Sequence, residues 1–267
     1  MQRLQRAGLG LAYDDTAHPT GPPMLLLHGW GSRRDDMAPL AGAFGASHRV
    51  VNLDLAGHGD SDVPADEDRL APDSLAADAA ALCDALDLGR SAVIGHSAGA
   101  AVAVELAARR PELVAAVVAL DGTLGFPAEL LEQTAPMLEA LRGPAWREVM
   151  AGLLAAGFLP SDDQELLRRL TEDIGCVPQH VVAGVGERMA AWDAEAALAA
   201  FGATGIPLLY VRSGADLELT DLDRLAKLVP DLTLGRVVGL GHDQMLASPG
   251  QAAEMIDRFF AVLPAPN

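Results

Sequence analysis

Half of the 267 residues are hydrophobic and 21% are charged, which excludes a disordered polymer and leaves ample apolar material for a core. α/β layers hold roughly 200 to 250 residues around one core, so one large domain with an insertion is expected. Nineteen basic residues against 37 acidic ones leave a net charge of −18, a field that repels phosphate backbones and anionic lipid headgroups, so neither a nucleic-acid nor a membrane partner is expected. The acids are scattered rather than clustered, as on a solvated surface.

The first residues form no secretory pattern: 1–11 carries arginines but no apolar h-region. Residues 4–6 and 10–13, separated by a glycine-containing turn, read as an antiparallel hairpin. From Pro23 onward, short apolar runs alternate with amphipathic segments of helical length, the pattern of parallel strands joined by crossover helices. The strand candidates are 24–27, 49–54, 91–94, 114–120, 207–211 and 232–238. Most are apolar at consecutive positions, as expected where helices cover both faces of a sheet. Helices are expected over 74–86, over 98–110 with two arginines before Pro111, and from the Ser248-Pro249-Gln251 capping signature through Phe260. The fold class is therefore α/β: a doubly wound, mostly parallel sheet of about eight strands.

About 85 residues separate the 114–120 and 207–211 strands, far more than the dozen or so that a parallel crossover requires. Apolar residues recur at helical spacing through Leu130, Leu131, Thr134, Met137, Leu138 and Leu141, and again through Trp146, Val149, Met150, Leu153 and Leu154. Ser161 to Gln164 reads as a capping box that opens a third helix through Leu170. Residues 126–202 are thus expected to form a helical cap over the C-terminal edge of the sheet, where open α/β sheets bind ligands, and residues 1–125 and 203–267 to form the core domain. Cys83 and Cys176 are too few for a cysteine-built metal site or a disulfide framework, and both read as small buried apolar residues. The longest uncharged stretch, 196–211, is broken by Gly202, Gly205 and Pro207 and falls short of a membrane span, so a cytoplasmic location is expected.

Gly95-His96-Ser97-Ala98-Gly99 follows the apolar Ala92-Val93-Ile94 and opens a helix, the setting in which G-x-S-x-G is a nucleophile elbow rather than a plain structural turn. A serine hydroxyl needs a neighbouring base, itself oriented by a third group. His242, in Gly239-Leu240-Gly241-His242-Asp243 after the last strand, is the best placed of seven histidines. Asp216, beyond the 207–211 strand and a Ser213-Gly214 turn, is the expected carboxylate; Asp121, ending the 114–120 strand, is its rival, and Glu218 trails it. Backbone donors for an oxyanion are expected at Ala98, after the nucleophile, and at Trp30 in His28-Gly29-Trp30-Gly31. The alternative for Trp30 is packing against the cap.

With these motifs in place, together with Asp54-Leu55-Ala56-Gly57-His58-Gly59-Asp60-Ser61, Gly241-His242 and Pro249, the chain resembles the α/β-hydrolase superfamily over essentially its whole length, in its capped, esterase-like branch. The resemblance implies a Ser97, Asp216, His242 triad, which is the chain order of that superfamily, with Trp30 and Ala98 as oxyanion donors. It also implies a structural role for His58. The chain departs from the family pattern at Ser213, where glycine is common, and at Ala247, where glutamate is common.

His28 and His96 read as hydrogen-bonding supports, because no carboxylate-and-histidine cluster has metal-ligand spacing. Arg34 and Asp62 stand where a dinucleotide loop would carry its third glycine, so neither metal nor nucleotide cofactor is expected. Trp146, Phe158, Met189, Trp192 and Phe126 could line a pocket, but each reads first as plain core. The expected activity is hydrolysis of an ester or lactone of a small, largely apolar molecule through an acyl-enzyme on Ser97. The alternatives are carbon-carbon bond hydrolysis, a cofactor-free perhydrolase or haloperoxidase, and a ligand-binding module without turnover.

Overall fold

A computed structural model describes residues 1–17, 21–215 and 219–263, with backbone alone at 128, 129 and 131–133. Eight strands form a single sheet in the order β1-β2-β4-β3-β5-β6-β7-β8. The strands are β1 (Gln2–Arg6), β2 (Leu9–Asp15), β3 (Met24–Leu27), β4 (Val50–Leu53), β5 (Ser91–His96), β6 (Val114–Leu120), β7 (Leu208–Arg212) and β8 (Thr233–Arg236). β1 and β2 form the expected hairpin, β2 pairs antiparallel with β4, and every later pairing is parallel. The order reverses between β3 and β5, so the loops that leave these two strands diverge and open a crevice at their C-terminal ends.

The runs of consecutive apolar residues follow from a sheet covered twice. Leu25, Leu27, Val93, Val117 and Ala119 point to one face, against α2 (Pro72–Ala85) and α3 (Ala98–Arg109). Their neighbours Met24, Leu26, Ile94, Val118 and Leu120 point to the other, against α1 (Arg34–Phe44) and α11 (Pro249–Val262). β8 is an exception: its residues are largely exposed at the sheet edge.

Between β6 and β7 lie α4 (Ala128–Arg142), α5 (Trp146–Ala156), α6 (Gln164–Ile174), α7 (Gln179–Ala191) and α8 (Ala194–Gly202). Leu141, Trp146, Met150, Ile174 and Val182 make a small core among α4 to α7. α8 is different, because its Ala197, Leu198 and Phe201 join the main core beside α3. A short α9 (Leu222–Leu228) and α10 (Gln244–Ala247) complete the chain.

Several local expectations shift. α6 is capped by Asp163, whose carboxylate accepts the Glu165 amide, and not by Ser161. Ser248 precedes α11 without a side-chain cap; Pro249 at the first helical position starts that helix. α1 and α7 escape a reading of periodicity because Pro39 interrupts the first, and valines with Gly184 and Gly186 give the second a weak helix propensity. Of the two cysteines, Cys83 is buried as expected, whereas Cys176 is exposed, one turn beyond the apolar face of α6. Among the described residues no helix is long and apolar enough to cross a membrane.

The loop after β4 is held by a buried carboxylate. Asp54, fully buried, accepts the Arg34 amide at 2.7 Å and the Asp60 amide at 2.8 Å, and it pairs with the Arg34 guanidinium, which also reaches Asp14 and Asp60. Removing the carboxylate leaves two amides and a buried cation short of their acceptor. Asp54→Ala is therefore expected to lower stability by about 3 kcal/mol in urea denaturation; a loss within error of zero would show that Asp14 and Asp60 suffice.

Candidate active site

The turn after β5 places Ser97 in a conformation that side chains rarely adopt, with φ 51° and ψ −119°. It is held there from three sides: its amide donates to the Leu120 carbonyl, and its own carbonyl accepts the Ala100 and Thr123 amides. The flanking glycines are dictated by contact. A Cβ on Gly95 would run into the Gly99 carbonyl, and one on Gly99 into the carbonyls of Leu27 and His28. Backbone strain of this kind persists only where the surroundings over-determine it, and it concentrates at functional sites.

Asp121, at the end of β6, is the second residue at this edge with a positive φ, 43°. Its loop is pinned by the Tyr210 and Thr220 hydroxyls, both donating to the Gly122 carbonyl. Its carboxylate accepts the Ser213 amide at 2.9 Å on one oxygen and His242 Nδ1 at 2.7 Å on the other. Burial pushes this carboxyl upward, but the His242 hydrogen bond and charge, with the Ser213 amide, outweigh it and hold the group below its ordinary value. Burial lowers His242 in turn, and the Asp121 hydrogen bond and charge prevail to raise it. Asp216, the carboxylate expected from the sequence, lies outside the described residues, as does Glu218. The carboxylate that the structure brings to His242 is Asp121, and the loop after β7 contributes Ser213 as a donor to it.

With Nδ1–H committed to Asp121, the lone pair of His242 Nε2 is left for a proton from elsewhere. Ser97, His242, Trp30, Thr123 and Phe126 line a common cavity of about 240 Å³, roofed by Met137, Met150, Leu153, Leu154 and Ile174 of the inserted helices. No hydrogen bond joins the Ser97 hydroxyl to the imidazole in this conformation; such contacts often tighten only around a substrate. The amides of Trp30 and Ala98 have no protein acceptor among the described residues, and both residues border the wall beside Ser97. The Trp30 indole donates to the Val182 carbonyl of α7 at 2.9 Å, so the same residue also packs against the insertion.

His28, His58 and His96 are supports. His28 Nε2 accepts the Leu55 amide while Nδ1 bonds the Gly29 carbonyl, and His58 links the Gly31 amide to the Ala56 carbonyl. His96 Nε2 donates to the His242 carbonyl at 3.1 Å, its ring 4.6 Å from that of His242. Of the aromatic and methionine candidates in the insertion, Phe126 lines the cavity and Met189 a smaller annex of it, Trp146 is core, and Trp192 donates to Glu105 away from the site. Three lining acids, Asp36, Asp173 and Asp243, were not singled out by the sequence: Asp36 lies on the helix that periodicity missed, Asp173 lies on α6 beyond the stretch read as helical, and Asp243 was read only as the neighbour of His242.

Burial pushes His28 down to about 4 and His58 and His96 to about 3, so these rings stay neutral through the range in which His242 titrates. Histidine side-chain NMR over pH 5 to about 8.5 is expected to show one buried imidazole, His242, titrating above 6.5 and three that do not move. Titration of His28 or His58 near 6 would contradict the hydrogen-bonded supports described above.

Comparison with known proteins agrees with this fold. The family model described as alpha/beta hydrolase fold matches residues 22–249. A magnesium-chelatase 30 kDa subunit of Rhodobacter capsulatus is 29% identical over 258 residues, covering 91% of this chain and 88% of that protein. A 2-(acetamidomethylene)succinate hydrolase of Mesorhizobium japonicum is 30% identical over 251 residues, covering 90% and 88%. Among solved structures, the enol-lactonase of Burkholderia xenovorans superposes with a TM-score of 0.84 at 20% identity over 97% of this chain and 100% of that one, a likeness of fold. The chain belongs to the alpha/beta hydrolase fold family.

Proposed function

We propose that the protein is a cofactor-independent serine hydrolase that cleaves a carboxylic ester or lactone of a small, largely apolar molecule. The observation that carries this reading is the 2.7 Å hydrogen bond from His242 Nδ1 to the buried Asp121, made at the wall of the cavity that also holds the strained Ser97. In this reading His242 Nε2 takes the Ser97 proton as the hydroxyl attacks the substrate carbonyl, forming the C–O bond of a tetrahedral intermediate. The Trp30 and Ala98 amides donate to its oxyanion. Collapse breaks the bond to the leaving alkoxide, which takes the proton from His242, and a water activated by the same imidazole then releases the acid. Asp121 orients the ring and offsets its charge throughout. The 126–202 insertion serves as a lid whose α4 to α7 side chains exclude water from the acyl chain.

The relatives matched over about nine-tenths of the chain include a protein named as a hydrolase and one named as a chelatase subunit, and the alternative to turnover is a ligand-binding role. Reaction with a fluorophosphonate separates the two. The expected result is an adduct on Ser97 by mass spectrometry, with Ser97→Ala losing about 10³-fold or more in hydrolysis of a short p-nitrophenyl ester. Full activity in that variant sinks the mechanism; an unlabelled wild type that also turns over no ester favours binding.

The pH dependence follows from the imidazole. His242 works as a base only when neutral, and Asp121 holds its value above 6.5, so kcat/KM should rise with pH through a midpoint above 6.5 and then level off. Asp121→Asn removes the opposing charge; the rate should fall by about 10² to 10⁴ and the midpoint should move down. An unmoved midpoint would assign the acid's role elsewhere.

A further inference from the structure

We propose that Asp243 is a specificity-determining residue whose carboxylate receives a cationic group of the substrate, so that the ester or lactone cleaved here carries a protonated or quaternary amine on an otherwise apolar skeleton. This rests on the hydrolytic reading above and narrows its substrate class.

Among the described residues, three acids line the cavity: Asp36, Asp173 and Asp243. Two of them are already answered by the protein. Asp36 accepts the Ser32 hydroxyl at 2.7 Å and the Arg33 amide at 3.2 Å, with Arg169 3.5 Å away; Asp173 meets Arg33 at 3.3 Å and Arg169 at 3.5 Å. The Asp243 carboxylate makes no hydrogen bond or ion pair among the described residues. It immediately precedes α10, at the capping position where an aspartate ordinarily accepts a helix amide, and it makes no such bond.

The surrounding charges leave the same gap. No arginine or lysine is among the residues described as lining the cavity. The acids Asp36, Asp121 and Asp162 add to the negative field at Asp243, and His242 is the group that opposes it. Burial, with these acids, pushes the Asp243 carboxyl up to about 6, so near neutral pH it is largely an anion without a partner. A half-buried carboxylate facing a largely apolar cavity stabilises a cation that displaces its water and repels an anion. The net charge of −18 acts in the same sense at long range, drawing cations toward the mouth.

The test uses two pairs of esters followed in a pH-stat at pH about 7.5, where Asp243 is ionised. A choline ester is compared with its all-carbon isostere, in which a tert-butyl group replaces the trimethylammonium. A γ-trimethylammonio butanoate ester is likewise compared with its all-carbon isostere, so that the cation is presented once on each side of the scissile bond. The expected result is a kcat/KM at least about tenfold higher for the cationic member of one pair, with that ratio falling to near one in Asp243→Asn. A ratio near one or below in both pairs, with the neutral esters turned over and Ser97 labelled, overturns the inference and leaves the hydrolase reading standing. A cationic preference that survives in Asp243→Asn also overturns it. If Asp243→Asn does not fold, the wild-type ratios and their loss as the pH falls through about 6 decide the matter. Failure of every ester together with an unlabelled Ser97 removes the hydrolytic reading and this inference with it.

Discussion

The site is organised by one short hydrogen bond between side chains 121 positions apart, Asp121 to His242. Asp121 is buried, His242 is partly so, and each shifts the other toward its charged form, so the pair is stable only while both loops are held in register. Most of the neighbouring structure serves that register. Tyr210 and Thr220 clamp the backbone after Asp121, Ser213 donates to its second oxygen, and the His242 amide is bound to the Gly157 carbonyl at 2.7 Å. Because Gly157 closes α5, the position of the imidazole is tied directly to the inserted helices as well as to the sheet.

A second constraint is the pair of tight strand exits. Ser97 and Asp121 follow adjacent strands, β5 and β6, and both take positive φ without being glycine. The Ser97 amide bonds the Leu120 carbonyl and the Thr123 amide bonds the Ser97 carbonyl, so the two exits brace each other. The strain at each is compensated by the other's hydrogen bonds, which is how a rigid sheet edge can present a hydroxyl and a carboxylate on neighbouring strands.

The cavity above this edge combines two environments. Its roof is apolar, supplied by α4, α5 and α6, whereas its acidic wall is drawn from the first turn of α1, from α6 and from the residue after the proposed base. Low polarity around the reacting bond strengthens the field of every dipole and charge that remains. An unpaired carboxylate in that setting influences substrate choice more than it would on the surface.

Much of this was legible in the sequence. The strands announced themselves because a sheet covered on both faces requires unbroken apolar runs, and the elbow did so because only glycine fits beside Ser97. His242 was legible from its place after the last strand. The sequence by itself determined the α/β architecture, the position of the insertion, and Ser97 and His242 as residues of the sheet's C-terminal edge, since these depend on local pattern and chain order. For the partner of the imidazole, the sequence points to Asp216, with Asp121 as its rival. Only the tertiary structure could bring Asp121 to Nδ1, answer Asp36 with Ser32, and leave Asp243 without a partner, because hydrogen-bond partners are chosen by distances across the fold that no spacing along the chain encodes.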